Sequence, residues 1–300
     1  MAEKMTSLEK QSQKSVFGIV STVLLSIYAV MLIFPLCWAL MTAMKERLDF
    51  IFNPIGLPSV WHPENFITAF EKAFIVVDSE KWGGRHTAYL PEMFMWSVIY
   101  AVCTTIVNVM SRCCTAYIMA KYKKYWLPAL MHNVIIVLLI VPDVGNLGSS
   151  LIIYRAVGIY DNLPMWLLFA CGFTGSNTLI MYASFRGVSW GYAEAALIDG
   201  ANNYTIMFRI MIPMIKPVIL GLMLLAFKGF WNDYNAPMIY LPSYPVVAYG
   251  LFKFQNSGDN AVSVPVQMAA SVMVATPIVL MYIIFRDQLV GNMSIGGIKG

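Results

Sequence analysis

Charge is scarce in this 300-residue chain. Only 12% of residues are charged while 59% are hydrophobic, against roughly 25% charged residues in a soluble domain. That scarcity excludes a soluble globular domain and predicts an integral membrane protein. Bases exceed acids only by 20 to 16, too few for a nucleic-acid footprint. Cysteine is sparse as well: Cys37, Cys103, Cys113, Cys114 and Cys171 form no Cys-x-x-Cys pair, so neither a zinc site nor a disulfide framework is expected. The five are read as small apolar side chains. There is no Gly-x-x-x-x-Gly-Lys-Ser/Thr loop to cradle nucleotide phosphates, no His-Glu-x-x-His and no EF-hand string, so no catalytic residue, metal site or cofactor is assigned to this chain.

What is present is a series of long apolar runs. At about 20 apolar residues per crossing, spans are expected near 16–44, 93–117, 127–147, 163–184, 217–240 and 265–285. Residues 1–15 precede them, 45–92 form an outer loop, 185–216 a cytoplasmic loop and 286–300 a tail. The first run is too long for a signal-peptide core and is read as a retained span. Twelve bases, Lys4, Lys10, Lys14, Arg112, Lys121, Lys123, Lys124, Arg186, Arg209, Lys216, Arg286 and Lys299, fall on one side. The short loops opposite hold only Arg155 and Lys253. The positive-inside rule then places both termini and the 185–216 loop in the cytoplasm.

The outer loop is rich in Pro, Gly and aromatic residues, with Phe66, Phe70 and Phe74 spaced for a short helix over 64–76. It is read as a cap on neighbouring spans or as a surface for an external partner. His62 and His86 stand there apart from any carboxylate cluster, and His132 is expected at the membrane interface.

The polar passage Glu194 to Pro217 is the most informative. Glu194 to Asp199 is Ala-rich and favours helix, and Gly200 supplies the residue that tolerates positive φ at a turn. Beyond it Ile206, Ile210 and Met214 recur at i, i+4 and i+8 with Arg209 off the stripe, until Pro213 and Pro217 interrupt. This can be an interfacial helix or a docking element for a soluble partner.

The spacing of Glu194-Ala195-Ala196, Asp199-Gly200-Ala201, Ile210, Pro213, Lys216 and Pro217 resembles the EAA loop of bacterial ABC importer permeases. Tyr204 stands where Trp is usual, Ile212 where Leu is common and Ser189 where Pro often precedes the loop. Trp231-Asn232-Asp233 with Pro237, and the Gly296 to Gly300 tail, resemble elements of the maltose-type carbohydrate family. The resemblance implies an all-α membrane protein with six transmembrane helices, the ABC type I importer permease fold, in the bacterial cell membrane. It implies a second, different permease subunit, two ATPase subunits that bind ATP and Mg, and an extracellular or periplasmic substrate-binding protein. The coupling joint is expected at Glu194, Ala195, Ala196, Asp199, Gly200, Arg209 and Pro213.

Polar residues at membrane depth are costly and mark cavities or interfaces. Asp143, Asn146, Asn177, Trp231, Asn232 and Asp233 are therefore the candidate substrate-pathway residues, with Trp231 or Tyr234 able to stack on a sugar ring. Asp143 and Asp233 can equally be solvated helix ends. Lys228, expected halfway along the fifth span, either snorkels or pairs with a partner's acid. The function the resemblance implies is one permease half of an ABC importer for a sugar or oligosaccharide. An importer of a polyol or glycerol-phosphate is the nearer alternative and an ion-coupled secondary transporter the more distant one. The latter would show internal repeats and midplane ionisable pairs.

Overall fold

The structure, a computed structural model, describes residues 16–141, 145–256 and 263–290. Asp143, the amino-terminal lysines and the glycine-rich tail, Gly296 and Gly297 included, lie outside the described residues. The chain divides into two compact units, one of Met1–Lys72 with Gly258–Met273, the other of Ala73–Ser257 with Val274–Gly300.

In the first unit, α1 (Val16–Ala43) is apolar all round and largely exposed until its last turn, where Thr42 and Ala43 are buried. That is the surface expected of a helix whose solvent is lipid. The chain then folds back on the end of α1. Lys45 is buried and its ammonium donates to the Asn53 carbonyl, while Asn65 Nδ2 donates to the carbonyls of Ala43 at 2.9 Å and Lys45 at 2.8 Å. Between these anchors lies α2 (Arg47–Phe52), and α3 (Glu64–Lys72) follows. His62 Nδ1 lies 2.5 Å from Glu64 Oε1, so this histidine has a carboxylate partner that its sequence setting did not suggest.

The second unit opens with a departure from the expected all-helical pattern. The helix anticipated over 64–76 stops at Lys72, and Phe74 begins β1 (Phe74–Ser79), paired antiparallel to β2 (Gly84–Tyr89) with Phe74 opposite Tyr89 and Ser79 opposite Gly84. The reason is local: Phe-Ile-Val-Val is β-branched and alternates, with Ile75 and Val77 buried and Phe74 and Val76 exposed. Gly83 and Gly84, both at positive φ, close the connection. His86 Nε2 lies 3.0 Å from both Glu92 carboxylate oxygens, again a carboxylate partner.

Helix α4 (Leu90–Lys121) is the hub, and at 32 residues it is longer than the 93–117 span expected. Its length of about 48 Å exceeds the roughly 30 Å of a bilayer core. Against it pack α8 (Ser176–Gly187), α11 (Lys216–Trp231) and α13 (Val247–Asn256). Small buried residues, among them Ala101, Thr104, Cys113 and Ala116, permit this close packing. A Cβ on Gly250 would meet Met93 Sδ at 2.3 Å, so the bare glycine leaves room for the end of the Met93 side chain between α13 and α4.

The remaining boundaries correct the expected spans. The 127–147 run is α5 (Trp126–Ile140), followed by a separate α6 (Leu147–Val157). The 163–184 run is two pieces, α7 (Leu163–Phe169) and α8, parted by a glycine-containing break. The 217–240 run ends early at Trp231, with α12 (Asn235–Tyr240) beyond a turn, so Lys228 sits in the last turn of α11 rather than halfway along it. The last run is α14 (Val264–Val290), longer than the 265–285 span expected. Three helical stretches, Phe17–Ala43, Leu90–Lys121 and Val264–Phe285, are individually long and apolar enough to cross a membrane. The pair Asn203–Met214 and Lys216–Trp231 has the length and apolar composition of a crossing only when taken together, and it is bent by 77° at the break. With the shorter apolar pieces, these are compatible with a six-helix core.

Candidate functional site: the 185–216 loop

Two helices form the loop between α8 and α11. The first, α9 (Gly191–Ile198), carries Glu194 in its first turn, where a carboxylate complements the amino-terminal end of the helix dipole. It ends in a Schellman motif. Gly200, at φ 81°, donates its N–H to the Leu197 carbonyl at 3.1 Å, and Ala201 donates to Ala196 at 2.9 Å. Gly200 therefore does what its position predicts. Nothing lies within 4 Å of a Cβ added there, so the demand for glycine is conformational rather than steric.

The face of α9 is divided. Ala193 and Ala196 are buried in a cluster with Cys113, Ala116 and Tyr117 of α4 and Met181 and Phe185 of α8. Glu194, Ala195, Asp199 and Gly200 are exposed, as are Tyr192 and Leu197, and Ile198 is 87% exposed. Alanine on the inner face lets α9 lie close to the helix ends; among the described residues nothing covers the outer face.

The second helix, α10 (Asn203–Met214), starts from Asn202, whose side chain accepts the Thr205 N–H at 2.8 Å. Here the expected stripe fails by one residue. Ile206 is fully buried as anticipated, but Ile210 is only partly buried and Met214 is 42% exposed. The residues that face inward are Ile206, Met207, Met211 and Ile215. The cause is that Ile206–Met211 winds as a π-helix, with the Ile212 N–H donating to the Met207 carbonyl five residues back. A π turn takes up an extra residue, so the inward set advances by five rather than four. Pro213, which has no N–H to give Arg209, follows directly. Arg209 and Pro213 are exposed, and among the described residues Arg209 makes no ion pair.

Three supports were not singled out from the sequence. Lys121 Nζ donates to Asn203 Oδ1 at 2.8 Å, tying α10 to the end of α4. Tyr117 packs edge-on to Phe185 and tilted against Trp190. Asn202, three residues before Thr205, was legible as a cap; the other two join residues far apart in sequence. Ser189 lies in a Gly187-Val-Ser-Trp-Gly191 string that has the letters of a hydrolase nucleophile elbow. The fold removes that reading: the string sits between two helices, not after a strand, and the Ser189 hydroxyl accepts the Gly191 N–H at 3.4 Å, with no histidine or carboxylate among the described residues bonded to it.

The candidate pathway residues separate into groups. Trp231 is 2% exposed, flanked by Phe94 and Phe227, and its indole N–H donates to the Val274 carbonyl at 3.0 Å. It is thus a core side chain here, and its ring is not open to stack on a ligand. Asp233 accepts from the Tyr100 hydroxyl at 2.9 Å and from the Ala236 N–H at 3.1 Å. Tyr234 stacks on Phe252 with centroids 4.5 Å apart. Asn232 is exposed, its side chain amide donating back to the Lys228 carbonyl at 3.0 Å, and Lys228 is exposed too. Asn146 lies exposed at the start of α6 and Asn177 partly buried in the first turn of α8. No hydrogen bond among the described residues joins either to the Trp231–Asp233 turn.

A second polar seam went unnoticed in the sequence, although Asn108, Ser111 and Arg112 fall at i, i+3 and i+4 of α4. Asn108 Nδ2 donates to the Ala170 carbonyl at 3.0 Å and Ser111 Oγ to Gly172 at 3.2 Å, across the α7–α8 break. The Arg112 guanidinium fills the space that side chains at Gly172 and Gly175 would occupy. On the opposite end of this unit, Asp78, Gly83, Gly84, Arg155, Tyr160 and Asp161 help line an open cavity of about 850 Å³. Ser243 braces its wall, donating its backbone N–H to Asp161 at 2.8 Å and accepting from Trp82 Nε1 at 3.1 Å.

Residues 113–289 match the family described as binding-protein-dependent transport system inner membrane component. The chain is 26% identical over 285 residues to the diacetylchitobiose uptake system permease protein of Streptomyces coelicolor, covering 93% of this chain and 88% of that one. It is 23% identical to the galactooligosaccharides transport system permease protein of Bacillus subtilis, covering 93% and 95%. In fold it resembles a solved chain of a bacterial ABC transporter involved in import of the acidic polysaccharide alginate, with a TM-score of 0.74, 20% identity and coverage of 95% and 99%.

Proposed function

This chain belongs to the binding-protein-dependent transport system inner membrane component family, and from that premise we propose that it is one permease half of an ATP-driven importer for a sugar or oligosaccharide. The named relatives that carry diacetylchitobiose and galactooligosaccharides support the solute class. A polyol or glycerol-phosphate importer is the alternative in the same mechanism. In this reading a second, different permease closes the pathway, and of two ATPase subunits, which bind ATP and Mg, one receives the 185–216 loop in a cleft on the cytoplasmic side. A substrate-binding protein delivers solute to the opposite face, where the 850 Å³ cavity opens. Both termini lie in the cytoplasm, consistent with the asymmetry of the bases.

One observation carries the coupling role: α9 buries Ala193 and Ala196 against α4 and α8 while Glu194, Ile198, Asp199 and Gly200 are left exposed on its other side. A rigid helix anchored on one side and open on the other transmits displacement. When the ATPase subunits close, the cleft holding α9 moves and carries α4 and α8 with it through that cluster, turning the pathway outward. Asp143, Asn146, Asn177, Asn232 and Asp233 are assigned to the pathway, with the exposed Asn232 best placed to bond a hydroxyl and Trp231 holding that turn from behind. The test is Glu194→Lys in the reconstituted transporter, measuring solute uptake and ATP hydrolysis together. Insertion is expected to be normal, with uptake lost relative to hydrolysis; wild-type coupling would refute the assignment.

A further inference from the structure

At the same end as the 185–216 loop, a cleft of about 260 Å³ lies between the end of α4, the first turns of α5 and the last turns of α8. Its polar lining is Lys123, His132, Asn133, Tyr182 and Arg186, and no carboxylate contributes. His132 and Arg186 both pack on the Tyr182 ring, with centroid distances of 4.9 and 6.0 Å, so one aromatic side chain fixes the two nitrogenous groups on the same wall. Among the described residues neither Lys123 nor Arg186 has an ion-pair partner. Bases gathered around a cavity repel one another, and that repulsion is relieved by an anion between them.

The surroundings decide which anion. Pro128 is buried at the cleft, whereas its neighbours at the start of α5 turn outward: Tyr125, just before the helix, is 64% and Trp126 75% exposed, and Leu127, Leu130 and Val134 are exposed with them. Exposed Tyr and Trp followed by an apolar helix face mark the headgroup level of a bilayer, and basic pockets between transmembrane helices on the cytoplasmic side suit anionic headgroups. We propose that this cleft binds the phosphate of an anionic phospholipid, with Lys123 and Arg186 as the charged contacts, Asn133 as a donor and the acyl chains lying along α5.

The leaflet, but not the site, rests on the orientation proposed above. The test is lipid retention, which needs no transport. The full chain is placed in phosphatidylcholine nanodiscs containing a minority of phosphatidylglycerol, and retained lipid is identified by native mass spectrometry. Selective retention of phosphatidylglycerol is expected, weakened about fivefold by Lys123→Gln and again by Arg186→Gln, the factor that corresponds to about 1 kcal/mol per base near the surface. Lys253→Gln, an exposed base on another element, is expected to have no effect. Equal loss in Lys253→Gln, no loss in the two cleft variants, or displacement of the lipid by inorganic phosphate would each overturn the proposal. Failure here would leave uptake and coupling untouched, so the two readings fail separately.

Discussion

Lys121 Nζ, at the last residue of α4, donates a 2.8 Å hydrogen bond to Asn203 Oδ1, at the first residue of α10. The bond spans 82 positions of sequence and fastens the 185–216 loop to the longest helix of its unit. Being exposed, it contributes little to stability, on the order of 0–1 kcal/mol. Its value is positional. Lys121→Met is therefore expected to leave melting within a few degrees of wild type while lowering uptake per ATP hydrolysed, measured in proteoliposomes with the partner subunits.

Gly200→Ala tests the Schellman turn. With open space around a Cβ, the cost is the left-handed backbone alone, roughly 1–2 kcal/mol. Local loosening of α9 should appear as faster amide exchange over 191–201, and coupled uptake should fall. Gly200→Pro, which also removes the N–H bonded to Leu197, should abolish coupling while the protein still inserts.

Tyr100→Phe removes the donor that holds Asp233. A hydrogen bond to a charged acceptor contributes about 1.5–3 kcal/mol, so Tyr100→Phe and Asp233→Ala should each lower the melting temperature of the detergent-solubilised protein. A double-mutant cycle should give a loss well below the sum of the two. Additive losses would show that the pair does not act as a unit.

Gly172→Ala sets a Cβ 2.8 Å from Arg112 Nε. Overpacking of this kind costs typically about 1–3 kcal/mol, and the guanidinium has the Gly175 side of the break to contend with as well. The expected outcome is reduced thermal stability, partly rescued by combining Gly172→Ala with Arg112→Gln. Absence of rescue would mean that the clash lies with the Asn108 amide, 3.1 Å from the same Cβ, instead.

Asp49 gives a pH test in the outer loop. Its carboxylate accepts from the Ser59 N–H at 3.0 Å and the Ser59 hydroxyl at 2.8 Å, and those bonds, the backbone one foremost, hold its pKa below the usual carboxylate range. A depressed folded pKa means that the stabilisation is complete above the unfolded value of about 3.9 and fades as pH falls through the lower folded one. Limited proteolysis of the 47–59 segment should therefore accelerate below about pH 4, and Ser59→Ala should speed cleavage at neutral pH while flattening that acid-induced rise.

Much of this molecule was legible in one dimension. The apolar runs located the helices because burial in lipid demands length and composition, both local properties. Gly200 announced its turn because positive φ is a property of a single residue. The periodic reading of α10 failed for an equally definite reason: a fixed i+4 spacing presumes α-winding, and the π-helical Ile206–Met211 puts Met211 and Ile215 where Ile210 and Met214 were expected.

The sequence by itself determined the solvent of this protein, its helical character and the divided polar loop, since each follows from composition and from neighbours a few residues apart. Only the tertiary structure decided that Trp231 faces Val274 rather than an open pathway, that Tyr100 holds Asp233, and that Arg112 fills the break at Gly172 and Gly175. Those pairings join residues tens to more than a hundred positions apart, and no local propensity carries information about which distant surface a side chain will meet.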